Sequence, residues 1–494
     1  MKYFLPLSFI FIFALSFTVF GQSTLSSSST DFQAYIFVNS NADSNDANTA
    51  DNICADSAGR CTLRAAVQQA NAKTDQYSIK FSLTAPVTIQ LNLGQIRIEN
   101  DIKIQGLGSR NLVINGGGKS RVFGIYGSTI PITAEFNGLT IAGGDSGTSG
   151  GGGIYNSPQC TLVLVDTTVR NNIGTGGGGI FNQGYLYITQ TAINNNTSVN
   201  RSSGGGIFTT GQTNIVNTTI TNNEAGYGGG IAVAGSDTTL VNNTIFNNTV
   251  TDAGGGIINY QSEVDVRNTI IAQNNSPSNP DVSGDTFNSF NSLGNNLIGT
   301  AEYASGFVNG ENADKVGSNG SRIDPKLGAL QNNGGNTDTR ALLDGSPAID
   351  SGNNCVRGSC PSNNAWTVPL IDQRGNAFGR FASTVDIGAY EKQLNCVYML
   401  DTTSQDFPAS GGSGVVTGTT GIGCALSLFT SSTFINSNFI SGSGNLGSGI
   451  LTFTVPFTVQ ANTGAPRTGT LLIGGQAFTV NQAGVKSRKR VRFF

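Results

Sequence analysis

Carboxylates are the side chains of this sequence best suited to acid–base chemistry, because the chain contains no histidine. That composition excludes histidine-dependent triads, histidine general bases and His-ligated metal sites. Enzymatic cleavage of a polysaccharide needs clustered carboxylates on one face, and a lyase also needs a basic residue. Glu263 and Asp265, at positions i and i+2, would project from the same face of a strand, and Arg267 follows two residues later. If the protein is an enzyme, these three residues are the predicted catalytic group.

The spacing of the remaining acids favours a protein without catalysis. Between residues 151 and 275, only Glu263 and Asp265 lie close together in sequence, and like charges at that spacing are more typical of an exposed strand face than of a dyad. Asp237 and Asp252 fall where the chain is expected to turn, and Asp is a common turn former. A polysaccharide lyase or glycoside hydrolase is therefore the alternative, not the first hypothesis.

No cofactor or metal ion is expected. One loop contains four aspartates, a composition that suits Ca²⁺ because this cation prefers oxygen ligands. Their spacing matches no calcium-binding loop that we can identify, so Ca²⁺ is kept only as a secondary hypothesis. The four residues are Asp43, Asp46, Asp51 and Asp56.

The overall composition excludes several classes of protein. Only 12% of the residues are charged and 67 are glycine, which excludes a coiled coil or a charged helical bundle. The hydrophobic share of 37% is enough for a packed core. The formal net charge of -3 gives no indication of nucleic acid as a partner. We expect a monomer.

Both ends of the chain differ from the rest. Residues 1–21 combine Lys2, an apolar run over residues 4–20 and a small residue at Gly21, which is the pattern of a secretory signal peptide. No later run reaches the length and apolar character of a spanning helix, so the mature chain is predicted to lack a transmembrane segment. Residues 485–494 form a basic tail, suited either to solvent or to an anionic envelope glycolipid.

Export implies an oxidising compartment, where cysteines close in sequence are expected to form disulfides. The predicted pairs are Cys54–Cys61, Cys355–Cys360 and Cys396–Cys424. Cys160 is left over. It lies in a strand-like segment without a nearby cation to activate it, so it is predicted to be a buried, unreactive thiol.

The elements that would position these residues come from a repeat in the middle of the chain. Gly-Gly-Gly-Ile recurs five times, with steps of 26, 27, 24 and 26 residues between the isoleucines. A Thr-Val or Thr-Ile step followed by an Asn pair accompanies it, from Thr168-Val169 with Asn171-Asn172 to Thr269-Ile270 with Asn274-Asn275. The five isoleucines are Ile154, Ile180, Ile207, Ile231 and Ile257.

Each repeat contains short alternating apolar runs separated by Gly and Asn, which indicates strands. Strands that recur about every 25 residues without hairpin spacing cannot pair with their sequence neighbours, but each can pair with the same strand one repeat later. The sequence therefore predicts an all-β protein whose residues 80–300 form a parallel β-helix, with isoleucines stacked inside and asparagines in ladders. Residues 22–79 are predicted to be a linker and capping segment.

The repeat resembles the right-handed β-helix repeats of polymorphic outer-membrane proteins and related bacterial surface proteins, which implies a secreted protein or one on the outer surface of a bacterial cell. Upstream, Cys-Thr-Leu-Arg-Ala-Ala at 61–66 is similar to the Cys-Ser-Leu-Arg-Glu-Ala segment that precedes such solenoids, and it predicts a capping helix over residues 62–72. Downstream, Gly-Ser-Pro-Ala-Ile-Asp-Ser-Gly at 345–352 and Asp-Ile-Gly-Ala-Tyr-Glu at 386–391 resemble the choice-of-anchor module. That resemblance implies a C-terminal cap over residues 301–392, without catalytic residues.

Residues 396–484 alternate Thr, Ser, Phe and Val, which predicts a small β-sandwich. Asn-Thr-Gly-Ala-Pro-Arg-Thr-Gly-Thr at 462–470 resembles the carbohydrate-binding-like, immunoglobulin-type BACON domain. Leu426 stands where that family commonly has Trp, and sugar recognition usually needs an exposed aromatic platform. Phe429, Phe434 and Phe439 are substitutes, although alternating Phe in a sandwich typically belongs to the core.

These patterns favour an adhesive or structural β-helix that is secreted or displayed on the surface and presents a long polar Asn/Thr face to its partner. Extracellular polysaccharide or other envelope material is the expected partner. The alternatives are a polysaccharide-cleaving enzyme and a scaffold that binds no ligand.

Overall fold

The computed structural model describes most of the chain between residues 34 and 485. The described residues are 34–127, 130–284, 290–302, 304, 306–357, 360, 370–375, 378–380, 384–393, 397–421, 424, 428–430, 432–437, 441–445 and 450–485. The predicted signal peptide and residues 486–494 of the basic tail lie outside them.

Parallel strands stacked in successive coils make up the main part of the molecule. The chain is nearly all β, with 4% helix, and it forms a parallel β-solenoid of about 8 turns. Each strand pairs in parallel with the equivalent strand of the coil before and the coil after. The predicted parallel β-helix is therefore confirmed.

Three long sheets form the sides of the solenoid. The first sheet contains, in spatial order, Ala34–Val38, Tyr77–Phe81, Ile102–Gln105, Thr133–Asn137, Thr161–Val165, Tyr185–Thr189, Thr213–Val216, Thr238–Val241, Val264–Arg267 and Phe290–Ser292. The second sheet contains Val87–Gln90, Leu112–Asn115, Thr140–Ala142, Thr168–Arg170, Ala192–Asn194, Thr219–Thr221, Thr244–Phe246, Ile270–Ala272, Leu297–Ile298 and Lys315–Val316. The third sheet contains Ile96–Ile98, Phe123–Ile125, Ile154–Asn156, Ile180–Asn182, Ile207–Thr209, Ile231–Val233, Ile257–Asn259 and Val282–Ser283.

A small fourth sheet follows the second sheet in four consecutive coils. Its strands are Ile173–Gly174, Thr197–Ser198, Glu224–Tyr227 and Thr249–Ala253.

The isoleucines of the Gly-Gly-Gly-Ile repeats form one column inside the third sheet. Ile154 pairs with Ile180, and the same register continues coil by coil to Ile257. All five side chains are fully buried. Because each buried Ile contributes roughly 1.5–3 kcal/mol, the column is a large part of the core, as the repeat predicts.

The glycines before each isoleucine form a corner that other residues would strain. The first of them, such as Gly177, has a φ of 67°, a left-handed conformation that favours glycine. A Cβ on the second, Gly178, would lie 2.4 Å from the carbonyl oxygen of Thr197. Backbone conformation and close chain contact therefore both require the repeated glycines.

Buried asparagines satisfy the backbone at the corner that ends the second sheet. The N–H of Asn172 donates to Oδ1 of Asn196 (3.1 Å), and the N–H of Asn196 donates to Oδ1 of Asn223 (3.0 Å). The Nδ2 of each also donates to the Oδ1 of the next. The same bonds continue through two further coils. We call this series the Asn ladder; its members are Asn172, Asn196, Asn223, Asn248 and Asn274.

A second ladder of threonines and asparagines runs along the corner between the first and second sheets. The N–H of Thr218 donates to Oδ1 of Asn243 (3.0 Å), and the N–H of Thr269 donates to Oδ1 of Asn296 (3.1 Å). We call this series the mixed ladder; its members are Thr167, Thr191, Thr218, Asn243, Thr269 and Asn296.

Each ladder ends on a buried aspartate at its C-terminal end. Asp281 Oδ1 accepts from the N–H (2.9 Å) and the Nδ2 (3.0 Å) of Asn274. Asp314 Oδ1 accepts from the N–H (2.8 Å) and the Nδ2 (3.1 Å) of Asn296. Burial raises the pKa of Asp281 to about 6 and raises that of Asp314 as well. An ionised carboxylate only accepts hydrogen bonds, so it terminates a series of donors.

The ladders correct two details of the sequence analysis. In the first four predicted pairs the second Asn faces the interior, as at Asn223 and Asn248, and in the last pair the first, Asn274, does so. The Asn/Thr pattern is therefore largely internal and does not form one long exposed face. The Thr-Ile step of the last repeat also lies one residue too early. Ile271, not Ile270, pairs with Ile245 in the inner column, because Ile270 faces outward into a second apolar cluster.

The N-terminal end of the solenoid lies further upstream than the predicted residue 80. Ala34–Val38 already pairs in parallel with Tyr77–Phe81. The predicted capping helix is present as Leu63–Asn71, and its Leu63 and Val67 are buried in the main core. Arg64 holds the helix in place by bonds to Asp43 (2.6 Å) and to the Gly94 carbonyl oxygen (2.6 Å).

The region predicted to be a C-terminal cap divides into two parts. Ala301, Ala304 and Phe307 join the main core and cover its end. The described residues between 324 and 392, which we call the flanking segment, instead lie along the outer face of the second sheet and contact coils far upstream. Examples are the hydrogen bonds from Ser109 to Asn336, from Arg340 to Thr221 and from Ala389 to Thr244. The flanking segment contains one antiparallel hairpin, Leu327–Gln331 with Thr339–Leu342, and the 3₁₀ turn Asn354–Arg357 follows it.

Outward-facing apolar residues explain why the flanking segment folds back. Ile270, Ala272 and Leu297 point away from the solenoid core and form a buried cluster with Leu342, Ala348 and Ile387 of the flanking segment. A buried ion pair reinforces this contact. Arg380 donates to Glu391 (2.9 Å) and to Asn217 of the solenoid (3.2 Å). Burial raises the pKa of Glu391 to about 7 although Arg380 opposes the shift.

Two of the three predicted disulfides lie within the described residues. Cys54–Cys61 and Cys355–Cys360 are both formed. Cys424 is disulfide-bonded, whereas its predicted partner Cys396 lies outside the described residues. Cys160 is a free, fully buried cysteine, as predicted.

The C-terminal residues form two mainly antiparallel sheets that share one apolar core. One sheet contains Met399–Leu400, Gly412–Gly421, Ile435–Asn436, Ser441–Asn445 and Ile450–Val459. The other contains Ser404–Phe407, Leu428–Phe429, Arg467–Ile473 and Gln476–Gln482. Phe434 belongs to the core and is not an exposed platform. Leu426, Phe439 and the side chain of Phe429 lie outside the described part of the chain.

Removing one rung of the Asn ladder should destabilise the protein. In Asn223→Ala, the N–H and Nδ2 of Asn196 lose their acceptor, so we expect a loss of about 2 kcal/mol or more in the free energy of unfolding, measured by chemical denaturation. Asn171→Gly is the control, because Asn171 is exposed and its φ of 56° suits glycine; its change should stay within about 0.5 kcal/mol. Equal losses in the two variants would contradict the structural role of the ladder.

The raised pKa of Asp281 predicts a pH-dependent stability. Its folded-state pKa of about 6 lies above the ordinary aspartate value of 3.8, so this group stabilises the fold below pH 4 and loses that contribution as the pH rises through 6. We expect Asp281→Asn to raise the free energy of unfolding more at pH 8 than at pH 5, since the neutral amide still accepts from Asn274. Denaturant titrations at both pH values measure the difference, with the exposed Glu224→Gln as the control. A pH-independent effect of Asp281→Asn would refute the assignment.

Candidate functional site

The predicted catalytic residues lie on the outer face of the first sheet. Glu263 is exposed, and Asp265 accepts a hydrogen bond from Nδ2 of Asn291 (2.6 Å). Arg267 is buried and turns away from them. Its Nε donates to the Leu293 carbonyl oxygen (3.1 Å), and its Nη1 donates to Sγ of Cys355 in the flanking segment (2.8 Å).

The strand register also places a third acid near Glu263. Thr238 pairs with Val264, so Asp237 and Glu263 occupy equivalent positions in adjacent coils. Both are exposed. Asp265 has Thr239 and Asn291 as its cross-strand neighbours, and neither is an acid. The acids therefore lie on an open surface, and the predicted base Arg267 is engaged elsewhere.

The four aspartates of the N-terminal loop are partly engaged by protein groups. Asp43 accepts from Arg64 and from the N–H groups of Asn92 and Leu93. Asp56 is bound by Arg60 (2.7 Å), which holds the pKa of that carboxyl well below its usual range. Within the described residues, no group of three or more His, Cys, Asp or Glu side chains is arranged to hold a metal ion.

The thiol of Cys160 is held by its neighbours inside the solenoid. Its Sγ accepts from the N–H of Gly127 (2.9 Å) and lies 3.3 Å from Oγ of Ser157. The position matches the sequence analysis and supplies no surface for chemistry.

A row of aromatic rings, which the sequence analysis missed, follows the outer face of the third sheet. Centroid separations between consecutive rings are 5.5, 5.7 and 5.2 Å, and the last two rings are stacked within 5° of parallel. All four side chains are half-buried, so each ring keeps an accessible part. We call this row the aromatic column; its members are Tyr126, Tyr155, Phe181 and Phe208.

The strand register and the glycine corners together build the aromatic column. Tyr155, Phe181 and Phe208 occupy equivalent positions in three consecutive coils. A Cβ on Gly150 would lie 2.4 Å from the ring of Phe181, and one on Gly176 would lie 3.3 Å from the ring of Phe208. The glycines thus leave room for each ring to lie close to the backbone of the previous coil.

Polar groups concentrate at the N-terminal end of the aromatic column. The Arg97 guanidinium lies over the ring of Tyr126, 4.1 Å from its centroid, and that of Arg121 lies 5.2 Å from the centroid of Tyr155. Arg121 also donates to the hydroxyl oxygen of Tyr126 (3.1 Å). The Tyr155 hydroxyl donates to Oε1 of Gln183 (2.7 Å). Burial lowers the pKa of Arg121, while the π-faces of the tyrosines favour its cationic form.

One sequence signal identifies the aromatic column. The residue directly after the isoleucine of Gly-Gly-Gly-Ile is aromatic in three consecutive repeats and then becomes Ala232 and Ile258. Since the isoleucine faces inward, alternation along the strand turns the next residue outward. The repeat pattern alone is therefore sufficient to indicate an outward-facing aromatic row.

Comparison of the chain with models of known protein families, with curated proteins and with solved structures gives no significant match. None of the helices in the described part of the chain has the length and apolar character needed to cross a membrane.

Proposed function

We propose that this protein binds extracellular polysaccharide, without cleaving it, along the aromatic column. The observation that carries the proposal is four aromatic rings in one row, spaced 5.2–5.7 Å apart on an accessible face. A flat ring covers the apolar face of a pyranose, which is why aromatic side chains dominate sugar-binding surfaces. A row of rings along the solenoid axis suits a chain of sugars better than a single one.

The polar groups around the aromatic column complement its apolar faces. Pyranose rings carry hydroxyls at their edges, and these need hydrogen-bond partners once the sugar is stacked. The Tyr155 hydroxyl, Gln183 and the Arg121 guanidinium lie beside the rings. This combination of accessible aromatic rings and neighbouring polar groups favours a carbohydrate over a purely apolar ligand.

The solenoid holds these rings in place before any ligand binds. Tyr155 and Phe181 lie on strands that are paired on both sides. The Asn ladder further restricts movement between the same coils. Pre-ordered side chains lose little conformational freedom on binding, which favours affinity.

Binding without cleavage agrees with the placement of the acids. Glu263 and Asp237 are exposed on the first sheet, and Arg267 is engaged by Leu293 and Cys355. Acid catalysis of glycoside cleavage relies on a carboxyl whose environment raises its pKa and on a partner carboxylate at a fixed separation. An open strand face provides neither a water-excluding environment nor a substrate groove.

The finer identities from the sequence analysis form part of the same proposal. We propose a right-handed solenoid of the bacterial surface-protein type that is exported by its signal peptide. The flanking segment would correspond to the choice-of-anchor module, and the C-terminal sheets to an immunoglobulin-like, BACON-like sandwich that acts as a spacer or docking module. Removal of the signal peptide and the location of the mature chain are testable by N-terminal sequencing and cell fractionation.

Substitution in the middle of the aromatic column tests the proposal. We expect Phe181→Ala to weaken binding of purified mature protein to its best polysaccharide about tenfold or more, which corresponds to ~1.4 kcal/mol. Affinity electrophoresis in gels that contain xylan, galactomannan or mixed-linkage glucan measures the retention. Phe37→Ala is the matched control, because Phe37 is 53% exposed on the first sheet and should leave binding unchanged.

Three outcomes would overturn the proposal. Retention on none of the polysaccharides would favour a scaffold without ligand. Equal effects of Phe181→Ala and Phe37→Ala on retention would place the binding site elsewhere. Phe181→Leu, which keeps the apolar bulk without the ring, controls for damage to the coil. Release of reducing or unsaturated ends that is lost in Glu263→Gln or Asp265→Asn would establish the catalytic alternative.

A further inference from the structure

A second candidate site lies on a different side of the solenoid, between the second sheet and the flanking segment. The hairpin of the flanking segment and the sheet enclose a groove of about 780 Å³. None of the four aromatic-column residues lines it.

The floor of the groove is long and runs across successive coils of the second sheet. Six consecutive coils contribute to it, which at a strand spacing of about 4.8 Å corresponds to a length of roughly 24 Å. Threonine hydroxyls and asparagine amides predominate. The floor residues are Val113, Thr140, Thr168, Asn194, Asn222 and Asn247. A floor of this length and polarity suits a chain of hydroxyl-bearing units better than a small ion.

Three arginines give the groove a positive charge, and two of them are engaged by protein groups. Arg110 pairs with Asp338 (2.7 Å). Arg340 donates to Thr221 (3.0 Å) and Asn222 (3.1 Å) and lies 4.6 Å from the centroid of the Phe246 ring. Asp338 is the one acid among the lining residues, so the other two guanidinium charges are not balanced by a carboxylate of the lining.

Arg170 is the third arginine, and it has no ion-pair or hydrogen-bond partner for its guanidinium among the described residues. It is half-buried at the end of Thr168–Arg170, and its cross-strand neighbours are Ala142 and Asn194. Arg201 and Arg267, in later coils of the solenoid, are engaged by Asp252 and by Leu293, respectively. An unpaired guanidinium inside a groove points to a ligand that supplies the missing anion.

We propose that this groove binds an oligosaccharide that carries carboxylates, with the Arg170 guanidinium pairing with one of them. The planar guanidinium matches a carboxylate with two parallel hydrogen bonds. The amides and hydroxyls of the floor would bind the sugar hydroxyls. This site is independent of the aromatic column, because the two share no residues, and either can fail without the other.

The charge of the ligand provides the first test. Isothermal titration calorimetry with hexameric oligogalacturonate should detect binding, and the fully methyl-esterified hexamer, which keeps the shape but loses the charge, should bind at least tenfold more weakly. Equal affinities for acid and ester would refute the proposal. Tighter binding of a poly-glutamate peptide would also refute it and indicate an acidic protein partner.

Variants locate the site. Arg170→Gln should weaken binding of the acid at least tenfold and leave binding of the ester unchanged, and it should fold normally because it breaks no hydrogen bond or ion pair among the described residues. Arg322→Gln, which removes an exposed charge outside the groove, is the matched control and should bind as the unmodified protein does. Phe181→Ala should also retain binding of the acid. An unchanged affinity in Arg170→Gln, or a loss in Phe181→Ala instead, would overturn this assignment of the site.

Discussion

The fold depends on hydrogen-bond acceptors for the backbone N–H groups that point into the core at the corners of the solenoid. A buried N–H without an acceptor costs about 1–3 kcal/mol, and the Asn ladder, with Asp281 at its end, supplies that acceptor at the same corner of five consecutive coils. Asparagine solves the problem because its amide accepts through Oδ1 and donates through Nδ2. Each rung of the Asn ladder therefore satisfies the coil before it and needs an acceptor from the coil after it, as Asn196 does between Asn172 and Asn223.

These buried hydrogen bonds also determine how side chains are arranged on the surface of the solenoid. Because the ladders and the strand pairs fix the register between coils, a residue type that recurs at an outward position becomes a straight row. On the third sheet that row is aromatic, from Tyr155 to Phe208. On the second sheet it is polar and is partly covered by the flanking segment. The same repeat thus produces a row of aromatic rings on one side and a charged groove on another.

The sequence predicted the features that repeat and missed those that depend on contacts between distant segments. The isoleucine column, the Asn ladder, the capping helix and two disulfides all follow from local spacing or a local motif, and the structure contains them. The position of the flanking segment was missed because it depends on Ile270 and Leu297 meeting Leu342 and Ile387, and nothing in the local pattern of residues 324–392 states which face they cover. The aromatic column was missed for a different reason: its position holds an aromatic residue in only some of the coils, so it is not part of the repeat that defines the solenoid. The groove could not be predicted from the sequence, because Arg170 lines a groove only when the hairpin of the flanking segment packs opposite the second sheet.

The aspartates that end the two ladders, Asp281 and Asp314, restrict where a further coil can be added to the solenoid. A coil duplicated between Asn223 and Asn248 would bring its own donor and acceptor and would leave both ends of the Asn ladder satisfied, although the flanking segment would have to shift its contacts by one coil. A coil added after Asp281 or Asp314 would meet an oxygen that has no proton to offer while it is ionised. A further rung therefore fits within the Asn ladder but not beyond the aspartate that terminates it.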